Sequence, residues 1–199
     1  MALNFANNNS LSAITTKPSG LSGGAMNLIS TQTASNSSTI SFTSGIDSTY
    51  DEYVFKFINI HPATDGAKFQ VNFRDGDTAY DAVKTSTAFS AYHTEADDSG
   101  FGYLTGYDLA QSTGVQQIDQ NSGNDNDQNF CAELKLFSPS STTFAKHFIA
   151  RSVANAASNA ETDMYVAGYC NTTTAIDGVQ FSFSSGNIDS GVIKLYGIS

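Results

Sequence analysis

The sequence predicts an all-β fold, an antiparallel sandwich of short strands. Apolar residues alternate with polar ones in segment after segment, the period of two that gives a strand one dry and one wet face. Gly, Ser, Asn and Asp gather between those segments, where turns need them. No long amphipathic helical pattern occurs anywhere in the 199 residues. A hydrophobic share of 40% suffices for one good-sized core, and a sandwich of this length is commonly a single domain.

Residues 1–25 stand apart. Asn, Ser, Gly and Ala dominate, with isolated Leu3, Phe5, Leu11, Ile14 and Leu21 and no sustained period. Such a segment buries too little to order itself alone. It is read as an extended docking arm anchored by Phe5, Leu11 and Leu21, with the sandwich domain occupying 26–199.

The strands then follow in order. Met26 to Thr33 is weakly patterned, and Thr39 to Thr43 places Ile40 and Phe42 on one face. Tyr53 to Ile60 is apolar on both faces: Tyr53, Phe55 and Phe57 on one, Val54, Ile58 and Ile60 on the other. A strand of that kind is either central in the core or in contact with another subunit. Ala67 to Arg74 alternates through Phe69, Val71 and Phe73, and Ser86 to His93 follows. Phe101 to Leu109 is a short strand or a turn, and Asp119 to Asn129 is a long polar loop. Ala132, Leu134 and Leu136 mark the next strand; Phe144 to Val153 and Met164 to Cys170 come after it. Ala154 to Glu161 between them is a helical turn or a loop. The chain closes on Val179, Phe181 and Phe183, then on a strand from Val192 to Ile198. Roughly eight to ten strands at this spacing suit a sandwich. Among sandwiches a jelly roll is expected, because the strand number fits and the core Trp of immunoglobulin domains is absent, Trp being 0.

Charge narrows the partners. Only 14% of residues are charged, and 9 Lys and Arg against 19 Asp and Glu leave −10. Phosphate backbones and anionic membranes both call for a basic face, so neither nucleic acid nor membrane is expected as a partner. Met1 to Phe5 carries no positive charge, and the run after it is Asn7-Asn8-Asn9-Ser10, so no secretory leader is expected and the product is assembled in a cytoplasm. Cys131 and Cys170 are then expected as free thiols, buried as small hydrophobes.

No catalytic residues are assigned, and the chain is not read as an enzyme. There is no G-x-S-x-G elbow, and His61, His93 and His147 are scattered. The one candidate for a cofactor is calcium, at Asp119, Asp125 and Asp127, whose spacing offers oxygen ligands without the glycine and closing Glu of an EF-hand. An aromatic glycan platform is the other candidate site: Tyr103 and Tyr107 beside Asp108, with Tyr92 and Gln111 near them.

Four stretches carry a resemblance: GLSGGAMNLIST at 20–31, ISFTSGIDSTYDEY at 40–53, FINIHPAT at 57–64, and SGNI at 185–188 leading to KLYGI at 194–198. Together they resemble a family of virion structural proteins of marine tailed phages, over about residues 20–199. The resemblance implies a non-enzymatic component on the exterior of the virion, assembled in the host bacterial cytoplasm. As a capsid decoration or a tail-attached appendage it would partner other virion proteins and itself as a homo-oligomer, docked through its arm. It leaves head or tail open. A glycan-binding adhesin that recognises host surface carbohydrate is the alternative function.

Overall fold

The computed structural model describes residues 25–199. The arm residues Phe5, Leu11 and Leu21 lie outside the described residues.

Among the described residues twelve strands form two antiparallel sheets: β1 (Met26–Ser37), β2 (Ile40–Phe42), β3 (Glu52–Pro62), β4 (Phe69–Arg74), β5 (Lys84–Thr94), β6 (Ser99–Tyr103), β7 (Gln116–Gln117), β8 (Phe130–Phe137), β9 (Lys146–Ala156), β10 (Ala160–Cys170), β11 (Gly178–Phe183) and β12 (Ile188–Ile198). One sheet has eight strands in the order β1-β12-β3-β8-β9-β10-β5-β6; the other has four, β2-β11-β4-β7. First pairs with last, β1 with β12 and β2 with β11, and the nesting continues with β3 on β8 and β4 on β7. The hairpins β5-β6 and β9-β10 lie outside that nest. They add four strands to one sheet only, so the eight-stranded sheet overhangs its partner.

The alternation in the sequence explains which faces meet. Phe55 and Phe57 of β3 point across to Phe42, Phe69 and Phe181 of the small sheet, with ring centroids 4.9 to 5.5 Å apart in edge-to-face contact. Phe130 meets Phe69 at 4.9 Å, and Phe148 meets Phe73 at 5.1 Å. Edge-to-face packing sets the positive ring edge on the negative face, so this interior gains attraction beyond area burial. Tyr53, Phe55 and Phe57 are therefore core residues, at most 2% exposed, and a subunit contact through their side chains is ruled out for this fold. The Tyr53 hydroxyl is satisfied by Asp47: it donates to the carbonyl at 3.0 Å and accepts from the amide at 3.0 Å.

Three expectations are corrected. Ile60 was placed opposite Phe57, yet both are buried. The pairing of β3 shifts between Phe57 and Ile60, and Asn59 takes φ 50° there, so one extra residue turns Ile60 inward and leaves Ile58 outside. Second, Ala154 to Glu161 is neither helix nor open loop. β9 and β10 run on until Ala156 pairs with Ala160 across a tight turn, with Asn159 at φ 54°. Ala154, Ala156 and Ala160 are inward-facing alternations whose small side chains disguise the strand period. Third, Met26 to Thr33 extends to Ser37, because β12 supplies a partner for its whole length.

Candidate functional site

The outward face of the large sheet, opposite the core, has no second layer on it among the described residues. Strand register assembles one row across all eight strands: Tyr103, Phe89, Tyr165, Arg151, Glu133, Lys56, Lys194 and Thr31. Its first part is aromatic. Phe89 and Tyr165 stack with centroids 4.9 Å apart and planes 6° from parallel. Phe101, 76% exposed on the edge strand, meets Phe89 edge-on at 5.7 Å. On the other side the Arg151 guanidinium lies 5.0 Å from the Tyr165 ring centre. Asp163 fixes that guanidinium with two bonds, accepting from Nε at 3.1 Å and Nη2 at 2.8 Å. The guanidinium is thereby held beside the ring, and the pair raises the already high pKa of Arg151 further.

Next in the row comes an ion pair, Lys56 with Glu133. Lys56 reaches Glu133 at 3.2 Å, and Lys135 bridges Glu133 and Glu52 at 3.5 Å each. Ile149 and Val153 lie exposed on the same face of β9. Two shallow grooves mark the surface. One, of about 450 Å³, is lined by Thr87, His147, Ile149, Ala167 and Tyr169; the other, of about 560 Å³, by Ile58, Cys131, Glu133, Arg151 and Val153.

The sequence-predicted sites are distributed as follows. Tyr103 and Asp108 do come together: the phenol donates to the carboxylate at 2.7 Å, which lowers the pKa of Asp108 and raises that of Tyr103. Tyr107 does not join them. It packs against the core, its hydroxyl donates to the Gln120 carbonyl at 3.1 Å, and Lys68 covers its ring at 4.6 Å. Tyr92 has the opposite parity to Tyr103 in the β5-β6 pair, so it projects from the other face of the sheet. Gln111 bonds Thr85 and Asn171 instead. The expected platform of Tyr103, Tyr107 and Asp108 is thus split, because a turn after β6 sends the chain from one face to the other. Phe89, Phe101 and Tyr165 were not foreseen; only the register of three strands, β6, β5 and β10, brings them side by side.

Asp119 is fully buried and works as a loop staple. Its carboxylate accepts from the amide of Phe69 at 3.3 Å, the amide of Ser122 at 3.2 Å and the hydroxyl of Ser122 at 2.6 Å. Asp125 and Asp127 are exposed and line a depression of about 420 Å³ with His93, Glu95 and Glu161. The three expected calcium ligands therefore do not share a site, and among the described residues no three His, Cys, Asp or Glu side chains are grouped to hold a metal ion. Asp119 turns inward beneath β4, where Phe69 and Ser122 hold it, while the tip of its loop turns to solvent.

Both thiols are free. Cys170 is buried, and desolvation pushes its pKa up to about 12. Cys131 is only half-buried, contrary to expectation, because its position falls on the outward face of β8; its sulfur accepts from the Asn59 amide at 3.3 Å. No protein-family model, curated protein or solved structure matches this chain.

Proposed function

We propose that this chain is a non-enzymatic structural protein on the exterior of a tailed-phage particle, and that the open face of its eight-stranded sheet is where it meets neighbouring subunits. The observation that carries the reading is the exposed patch of Phe101, Phe89, Tyr165 and Arg151, with Ile149 and Val153 beside it. Aromatic residues and Arg are enriched at the centres of protein interfaces, and contiguous exposed apolar groups on one face are uncommon without a partner. The rings are buttressed by each other and by Asp163, so they lose little freedom when covered. The nested pairing of β1 with β12, β2 with β11, β3 with β8 and β4 with β7 supports a jelly roll, a fold with both sheets built from two Greek keys. The phrases at 20–31, 40–53, 57–64 and 185–198 support the phage assignment, with assembly in the host cytoplasm and homo-oligomerisation as its consequences.

The adhesin reading has one observation in its favour. Phe101 offers an open ring at the sheet edge close to the Tyr103–Asp108 pair, and an aromatic face beside a carboxylate is what a sugar ring needs. Phe89 and Tyr165 use their faces on each other and on Arg151, which leaves one ring rather than a platform.

Antibody labelling of intact particles tests the proposal. Label on the particle surface, lost when Phe89 and Phe101 are both changed to Ser, supports it. Particles that carry none of this protein sink it. Binding of the isolated chain to host glycan, lost in the same variant, moves the assignment to the adhesin.

A further inference from the structure

Lys84 is fully buried at the start of β5, and it takes part in no ion pair among the described residues. Its ammonium faces two neutral acceptors, the side-chain oxygen of Asn72 at 2.5 Å and the carbonyl of Ala82 at 2.7 Å. A buried cation without a counterion is costly, and a neutral product at the same place would remove that cost. Lys146 is the internal comparison. It is as buried, but its Nζ donates to the carbonyls of Thr172 and Thr174, which are backbone groups with nothing to exchange. Lys84 alone of the two meets a side-chain amide.

The Asn72 amide is set up on all sides. It is 8% exposed and belongs to β4 of the small sheet. Its Oδ1 accepts from the Phe73 amide at 3.1 Å as well as from Lys84, and its Nδ2 donates to the Thr113 carbonyl at 3.3 Å. This pattern fixes which end is oxygen. A C=O bond of about 1.23 Å then puts Asn72 Cγ within roughly 3.7 Å of Lys84 Nζ, close to the separation of reacting atoms in a near-attack arrangement.

We propose that Lys84 and Asn72 close an isopeptide bond, Nζ to Cγ, with loss of ammonia. The Nζ lone pair attacks Cγ and forms the new C–N bond. Charge develops on Oδ1, where the Phe73 N–H already points and acts as an oxyanion donor. The Cγ–Nδ2 bond then breaks, and Nδ2 takes a proton from the amine and leaves. Overall an ammonium and a primary amide become a secondary amide and an ammonium ion, so atoms and charge balance with no oxidant or co-reactant. Burial lowers the pKa of Lys84 to about 8, against the weaker opposite pull of Cys170, Asp81 and Asp75. Roughly a tenth of such an amine is neutral and nucleophilic at pH 7. The bond joins β4 of the four-stranded sheet to β5 of the eight-stranded one, a covalent tie between the two layers of the sandwich.

Mass spectrometry of the purified full chain decides the matter, after incubation until the mass is constant. The expected intact mass is one ammonia below the sequence mass. Trypsin cuts after Lys68 and Arg74, so unlinked protein releases FQVNFR, residues 69–74. In linked protein that peptide stays bonded to one running from residue 75 through an uncut Lys84 to Lys135. Lys84→Arg is expected to keep the full mass; if that variant does not fold, the wild-type digest answers alone. Full mass with free FQVNFR overturns the proposal. So does a missing ammonia with free FQVNFR, because the loss then lies elsewhere in the chain.

Discussion

Asp119 shows how one side chain holds a loop that carries almost no apolar residues. Its carboxylate is enclosed and collects donors from β4 and from its own loop. Asp119→Ala would orphan the amide of Phe69 and the hydroxyl of Ser122, while the Ser122 amide keeps the Ala67 carbonyl at 3.1 Å, at about 1–3 kcal/mol for each unsatisfied buried donor. An unfolding titration should register at least the lower figure, and a loss under about 0.5 kcal/mol would show that solvent reaches the loop. Burial also raises the pKa of Asp119, outweighing the hydrogen bonds that pull it down. A raised carboxylate binds protons more tightly in the folded state than in the unfolded one. Its contribution is therefore present below the unfolded value of about 3.8 and is lost as pH rises through the folded value. Comparing wild type with Asp119→Asn across acidic pH, the wild type should lose stability relative to the variant as pH rises through that window. The Asp residue was visible in the sequence as a calcium candidate; its burial was not, since that depends on β4, which lies 50 residues away.

At the scale of elements, β3 and β12 share an irregularity that no local pattern announces. Their register shifts twice, around Ser190, opposite the stretch where Asn59 takes a positive φ. Gly191 sits there at φ 126°, and a Cβ on it would stand 2.7 Å from the Asn59 carbonyl oxygen and 2.8 Å from the Ile60 Cα. Both are backbone atoms that cannot swing aside. Gly191→Val should cost about 2 kcal/mol or more, since it adds a steric clash to a conformation that β-branched residues avoid. Thermal unfolding would check this, and an unchanged midpoint would mean the strands repair their register. The strands themselves were legible wherever large apolar residues alternate, as in Phe69-Val71-Phe73 and Val179-Phe181-Phe183. They were illegible where the inward residues are alanines, as at the β9-β10 turn, and where a bulge inverts the parity, as at Ile60. Periodicity reports a face only while the register is unbroken.

For the whole molecule the decisive feature is asymmetry, eight strands against four. Interior rings tie the layers together where they overlap; Phe57 touches Phe69, Phe130 and Phe181. Phe57→Ala should cost about 3–5 kcal/mol, the range for deleting a buried aromatic ring, and a chemical denaturation curve would measure it. The outward face of the large sheet carries no second layer among the described residues, and it is the face proposed here to meet neighbouring subunits. Composition could not reveal that face, because Phe89, Phe101 and Tyr165 look like core residues until pairing puts them outside. Two forces then act in opposite directions between copies. The net charge of −10 repels them at every approach, and the aromatic row draws them together once in contact. Salt separates the two. The Debye length falls from about 10 Å at 0.1 M to about 3 Å at 1 M, which screens the repulsion and leaves apolar contact intact. Self-association measured by sedimentation should therefore strengthen from low to high salt. The Phe89→Ser, Phe101→Ser double variant should stay dispersed at both, at a cost in stability of about 1–3 kcal/mol from the lost stacking of Phe89 on Tyr165 and Phe101. If association instead weakens as salt is added, the ion pairs of Lys56, Glu133 and Lys135 carry the contact and the aromatic row does not.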